Sequence, residues 1–192
     1  MEAGVPGGGP KILATGRTKL SRRVFLIGLP GSGKSSIASV LAKRFSWKLV
    51  DTDALVAAKL QVPVATAVIS AGETRYRQVE REIVGELLKE MPAEDTVVAL
   101  GSGALDNPQT RQDLAELPGK EIIELVIDLS TMADRAGLNR PRSLGLGMPR
   151  AWLRQMGQER REHWKILNPL ALEISDLSPE QAAERVARAL GA

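Results

Sequence analysis

Eight residues carry the clearest chemistry in this chain: Gly28-Leu29-Pro30-Gly31-Ser32-Gly33-Lys34-Ser35. They fit G-x-x-x-x-G-K-[ST], a loop that cradles the phosphates of a nucleotide. Gly31 and Gly33 let the backbone curl with its N–H groups inward, and the Ser32 amide joins them. Lys34 puts a point charge on the β- and γ-phosphates, and the Ser35 hydroxyl can ligate Mg²⁺. The lysine is expected to be exposed in the loop. Ser36 follows at the start of a helix, where further N–H groups and the helix dipole favour an anion. Cofactor binding is therefore expected at Gly31, Ser32, Gly33, Lys34, Ser35 and Ser36, with ATP and Mg²⁺ as the implied partners.

A second pair of groups is Asp51 and Asp53, at the end of the apolar run Trp47-Lys48-Leu49-Val50. On an extended chain two acids one residue apart point the same way. In a parallel α/β sheet the carboxyl ends of strands face the ligand. The same Asp-x-Asp also suits a helix N-cap with acid in the first turn, and Asp53 is expected to do some of that capping. Local sequence leaves both readings standing. Arg77 and Glu80, three apart on a later helix, also have two readings: a site, or an ion pair in water. Gly101-Ser102-Gly103 follows a third apolar run, where glycine permits close backbone approach to a ligand or simply makes a turn.

The elements that position these groups are legible from periodicity. Residues 22–27 read as a buried strand, and Ile37, Val40, Leu41 and Phe45 recur at helical spacing after the loop. Further strands are expected at 47–50, 96–100, 121–127 and 170–174. Helices are expected at 54–60, 73–88, 107–118, 130–136 and 150–165. Ser178-Pro179-Glu180-Gln181 reads as a capping box opening the last helix. Residues 137–149, rich in Gly, Pro and Arg, read as a lid. Residues 1–20 are expected to be a disordered tail, followed by a single domain over 21–192.

Composition narrows the function. The chain has 192 residues, no cysteine and a net charge of +3. Without cysteine there is neither a disulfide nor a thiolate metal site, which fits a cytoplasmic protein. No apolar run reaches membrane-spanning length. Residues 1–23 hold Lys11, Arg17, Lys19, Arg22 and Arg23 against Glu2, which leaves the rest of the chain close to neutral. A basic nucleic-acid surface is therefore not expected. His163 reads as a surface helix residue, and the three tryptophans as packing residues.

In combination the motifs resemble shikimate kinase, a small P-loop kinase of aromatic amino-acid biosynthesis. That family carries the phosphate loop, Asp-x-Asp after the second strand, and Gly-Glu followed by Phe-Arg-x-x-Glu. It then has Gly-Gly-Gly after the third strand, Arg-Pro in a lid, and an Arg ahead of an aromatic. This sequence offers Gly28 to Ser35, Asp51 and Asp53, and Gly72-Glu73 with Tyr76-Arg77-Gln78-Val79-Glu80. It also offers Gly101-Ser102-Gly103, Arg140-Pro141, and Arg160 ahead of Trp164.

The resemblance implies an α/β three-layer sandwich, a P-loop fold with a five-stranded parallel sheet in the order 2-3-1-4-5 and a mobile lid. It implies a substrate-binding region at about 52–90 and a monomer acting on the small molecule shikimate. Asp53 would orient the acceptor hydroxyl and take its proton, and Asp51 would reach Mg²⁺ beside Ser35. Arg77 and Arg160 would clamp the substrate carboxylate, with Glu80 holding Arg77. Gly101, Ser102 and Gly103 would line the substrate, and Arg140 would close over the transferring phosphate. Arg135 and Pro179 would flank adenine. Three departures stand out: Ser102 for the middle glycine, Arg142-Ser143 after Arg-Pro where the family has leucines, and Trp164 for tyrosine. A kinase of another hydroxy acid and a non-catalytic nucleotide-binding module are the alternatives.

Overall fold

The structure, a computed structural model, describes residues 21–135 and 150–192 of the chain. Its centre is a five-stranded sheet made of β1 (Arg23–Ile27), β2 (Lys48–Asp51), β3 (Thr96–Ala99), β4 (Lys120–Val126) and β5 (Leu170–Glu173). The order is β2-β3-β1-β4-β5, and every pairing is parallel. This is the expected sheet. Between the strands run α1 (Lys34–Phe45), α2 (Thr52–Leu60), α3 (Ala67–Ala71), α4 (Glu73–Lys89), α5 (Pro108–Glu116), α6 (Leu129–Arg135) and α7 (Arg150–Trp164), and α8 (Pro179–Ala189) closes the chain.

The continuous apolar character of Val24-Phe25-Leu26-Ile27 and Val97-Val98-Ala99 has a direct cause. These strands are central, and helices cover both of their faces, so no residue needs to be polar. All seven side chains are buried. A second, smaller cluster joins Val56, Ala57, Ala67, Tyr76, Val79 and Ile83 beneath α2, α3 and α4. α2, α3 and the first half of α4 thus share a small core, while Val84 and Leu88 of α4 pack into the main one. The run 64–71 divides into a 3₁₀ turn at Val64–Thr66 and α3, with Ile69 facing solvent.

One boundary changes the reading of the acids. β2 extends to Asp51, and α2 begins at Thr52. Asp51 and Asp53 therefore do not lie along one extended strand. Asp51 is the N-cap of α2, its carboxylate accepting from the Ala54 N–H at 3.2 Å. Asp53 does not cap and is left for other partners. The capping box is as expected: Ser178 Oγ accepts from Gln181 N–H, Gln181 returns to Ser178 N–H, and Pro179 occupies the first helical position.

Candidate active site

β1 sits between β3 and β4, so its carboxyl end opens where the connections leave in opposite directions, the usual place for a ligand in such sheets. The loop that follows ends at Gly33, whose φ of 83° is costly for any residue with a side chain. Gly33 caps α1 without a side-chain hydrogen bond, and no acid stands in the first turn. The helix N–H groups there have neither an internal acceptor nor a competing carboxylate, which suits an anion. Ser35 and Ser36 are exposed at that end, and Ser32 is buried.

Lys34 differs from expectation. Its side chain is buried, because it folds back over the loop and donates to Gly28 O at 3.0 Å and Leu29 O at 3.3 Å. Burial disfavours the ammonium and pushes its pKa down to about 8, against the pull of Asp53. A cavity of about 280 Å³ joins Lys34 and Ser35 to Asp53 and Ser102. The phosphate loop, Asp53 and Ser102 thus share one space.

Three residues to which the sequence reading gave no role hold Asp53, Gly101 and Arg160 in place. The Tyr76 hydroxyl donates to Asp53 Oδ1 at 2.7 Å. Burial and the Asp53 carboxylate together hold that phenol far above the ordinary tyrosine range. Thr52 Oγ1 accepts from the Gly101 N–H at 2.8 Å and lies 3.4 Å from Ala99 O as a donor. This buried hydroxyl ties the start of α2 to the end of β3 and so fixes the glycine loop beside Asp53. Asp106 forms a two-bonded pair with Arg160: Nε to Oδ1 at 3.0 Å and Nη2 to Oδ2 at 2.6 Å. Of the three, only Tyr76 left a sequence signal, as the tyrosine where the resembled motif has phenylalanine.

The glycine loop needs its glycines for space. A Cβ on Gly101 would stand 2.5 Å from Asp53 Oδ1 and 2.7 Å from Glu80 Oε1, and one on Gly103 would collide with the Arg77 guanidinium. Arg77 Nη1 donates to Glu80 Oε2 at 2.7 Å. Glu80 is buried, and its carboxyl is pushed up by that burial, with Arg77 offsetting only part of it. Its second oxygen, Oε1, is buried without a partner among the described residues. Arg77, Ser102, Asp106 and Arg160 line a single cavity of about 630 Å³. The two arginines, from opposite halves of the chain, therefore meet at one space, although each already holds a carboxylate of its own.

On the other side of the phosphate loop, Arg135 and Pro179 line a cavity of about 230 Å³ with Gly33, Ser36, Ile37 and Leu177. Arg135 reaches both Gly31 O at 3.5 Å and Ser175 O at 3.4 Å. Arg140 and the expected lid over 137–149 lie outside the described residues. Among the tryptophans, Trp164 is buried and Trp47 stacks on Phe45 with ring centroids 4.9 Å apart. Trp152 is not a packing residue. It is 45% exposed, on the rim of the larger cavity. His163 is exposed on α7, as expected.

A family model described as shikimate kinase matches residues 30–191. The shikimate kinase of Thermobifida fusca is 40% identical over 167 residues, covering 87% of this chain and 94% of that protein. The shikimate kinase of Salinispora arenicola is 34% identical, covering 87% and 96%. In fold, the chain resembles the shikimate kinase of Acinetobacter baumannii solved in complex with shikimate, with a TM-score of 0.74 at 20% identity over 88% of this chain and 93% of that one.

Proposed function

The chain belongs to the shikimate kinase family, and we propose that it transfers the γ-phosphate of ATP to a ring hydroxyl of shikimate, giving shikimate 3-phosphate. Family membership implies a step of aromatic amino-acid biosynthesis. The observation that carries the reading is the cavity shared by Lys34, Ser35 and Asp53, which puts a phosphate-loop lysine and a carboxylate on the two sides of one small space.

In this mechanism the acceptor hydroxyl lies against Asp53, on the oxygen that Tyr76 does not occupy, and passes its proton to that carboxylate. Phosphoryl transfer has a loose transition state with charge on the peripheral oxygens, so catalysis is mainly positioning and charge neutralisation. Lys34 and the free N–H groups of α1 supply that charge, with Arg140 as the further candidate. Arg77 and Arg160 hold the acceptor carboxylate through charge-assisted hydrogen bonds. Gly101, Ser102 and Gly103 contact its hydroxyls, and Arg135 and Pro179 flank adenine.

Mg²⁺ favours one or two protein oxygens and the substrate phosphates over an all-protein cage. The Ser35 hydroxyl and Asp51, whose Oδ1 alone is used in capping, fit such a donor set. Bound there, Mg²⁺ would neutralise phosphate charge.

No single helix among the described residues is long and apolar enough to cross a membrane. With no cysteine and a nearly neutral body, we read the protein as a cytoplasmic monomer without a nucleic-acid or membrane partner. The tail is read as 1–20, the kinase domain as 21–192, the substrate region as about 52–90, and 137–149 as the lid.

The deciding experiment is a coupled assay of ADP release across shikimate, gluconate, glycerate and buffer alone. Release that depends on shikimate supports the proposal. Release with another hydroxy acid and none with shikimate would reassign the acceptor, and no acceptor-dependent release would leave a nucleotide-binding module.

A further inference from the structure

We propose that Asp106 is an internal competitor for the acceptor carboxylate: it occupies Arg160 when the site is empty and must yield when acceptor binds. The proposal rests on the shikimate reading and adds to it a residue that sets acceptor affinity.

The two arginines of the larger cavity are held differently. Arg77 is paired with Glu80, whose side chain is 3% exposed on a helix interior and has nowhere else to go. Arg160 is paired with Asp106, whose side chain is 45% exposed at the end of the 3₁₀ turn Ala104–Asp106. Arg160 itself is 11% exposed. The partner with room to turn into water is thus the carboxylate, and the more enclosed partner is the guanidinium. Asp106 can rotate into water at small cost, because an exposed carboxylate loses little hydration by doing so.

Geometry makes the pair a stand-in for ligand. Both Asp106 oxygens engage Arg160 side-on, the two-bonded arrangement an acceptor carboxylate would want. The same acid also acts on Arg77, whose charge it favours from across the cavity. One carboxylate therefore sits in the field of both clamp arginines. The empty clamp holds Arg77 and Arg160 against Glu80 and Asp106, with the exposed Glu73 a further acid 3.8 Å from Arg77, so it carries no formal excess of positive charge to attract an acid.

Two effects of Asp106 oppose each other. It orients Arg160, which helps an incoming carboxylate. It also puts a like charge on the same guanidinium, which hinders one. Arg160 is already restrained by burial, so little orientation is lost when Asp106 goes. Water screens part of that repulsion at the exposed Asp106, but its two hydrogen bonds occupy the nitrogens an acceptor carboxylate would use, and breaking them opposes binding. Asp106 therefore weakens acceptor binding.

The test uses the full chain, with shikimate as the acceptor. Asp106→Asn keeps shape and removes charge. It should lower both the calorimetric Kd and the KM for shikimate by about two- to fivefold, with the KM for ATP unmoved. Asp106→Glu should stay near wild type. An unchanged or raised shikimate KM in Asp106→Asn would overturn the proposal and make Asp106 a brace for Arg160. Independently of any variant, shikimate added to the wild-type protein without ATP should shift the Asp106 carboxylate carbon resonance, and an unmoved resonance would also overturn it. Failure of the parent reading looks different, because wild type would then show no shikimate-dependent turnover at all.

Discussion

The Tyr76 hydroxyl donates to Asp53 Oδ1 at 2.7 Å, so the proposed proton acceptor is held by a buried phenol on α4. The ring of Tyr76 belongs to the small core under α2, α3 and α4. Packing fixes the ring, the ring fixes the hydroxyl, and the hydroxyl fixes one carboxylate oxygen while leaving the other for the acceptor. Tyr76→Phe keeps the packing and removes only the bond. We expect kcat to fall by about three- to tenfold, with the KM for ATP unchanged and the melting temperature within a few degrees of wild type. Unchanged kcat would show that α4 orients Asp53 without the hydroxyl.

Lys34 gives a pH prediction with a definite sign. Burial lowers its pKa to about 8 in the empty protein, and ATP phosphates raise it again. Nucleotide binding near pH 8 must therefore take up protons, about half of one per site, and ATP affinity must fall as pH rises above that value. Calorimetry in two buffers of different ionisation enthalpy measures the uptake. Lys34→Arg should show neither the uptake nor the pH slope, since guanidinium stays charged throughout. Equal heats in both buffers for the wild-type protein would contradict the lowered pKa.

The strands and the phosphate loop are legible in the residues themselves, and the sheet order only through the family resemblance. β1 and β3 are buried on both faces and therefore appear as unbroken apolar runs, while Gly33, Lys34 and Ser35 occupy fixed places in a local motif. What was not legible depends on distance in space. Nothing in the sequence says that Asp106 meets Arg160, 54 residues away, or that Thr52 at the end of β2 reaches Gly101 at the end of β3. Asp51 and Asp53 do not share one face of a strand, because β2 ends at Asp51 and α2 begins at Thr52, and Asp51 takes the capping role that the sequence suggests for Asp53. Lys34 was expected to be exposed because a loop position carries no periodicity from which burial can be inferred.

Thr52 offers a structural test of how the glycine loop is held. Its buried hydroxyl is the partner of the Gly101 N–H. Thr52→Val is nearly isosteric and leaves that N–H buried without an acceptor, which costs about 2 kcal/mol. Denaturant unfolding should show the loss. The KM for shikimate should rise while the KM for ATP holds, because Gly101 lies on the acceptor side. Equal changes in both constants would place the effect on the whole sheet end and not on the glycine loop.

The two clamp arginines should be unequal in stability and alike in binding. Removing Arg77 leaves Glu80 buried, and Arg77 is the one cation paired to it among the described residues. A buried carboxylate without its partner destabilises the fold, although it escapes part of the cost by taking up a proton. We expect Arg77→Ala to lose about 2 kcal/mol at neutral pH. The sign of its pH dependence follows from that proton. Glu80 already has a raised pKa, and losing Arg77 raises it further. The folded state then binds a proton that the unfolded chain releases above the ordinary carboxylate range, so the deficit must grow as pH rises and shrink toward pH 5. Removing Arg160 leaves only Asp106, which is half exposed and solvated by water, so Arg160→Ala should cost less than about 1 kcal/mol. Binding should not follow this difference. Each variant should raise the shikimate KM by about ten- to a hundredfold and spare the KM for ATP, and the double variant should lose less than the sum, because both groups share one carboxylate. The measurements are urea unfolding at pH 5 and pH 8 and a kinetic double-mutant cycle. Fully additive losses in shikimate binding would mean that the two arginines do not grip the same group.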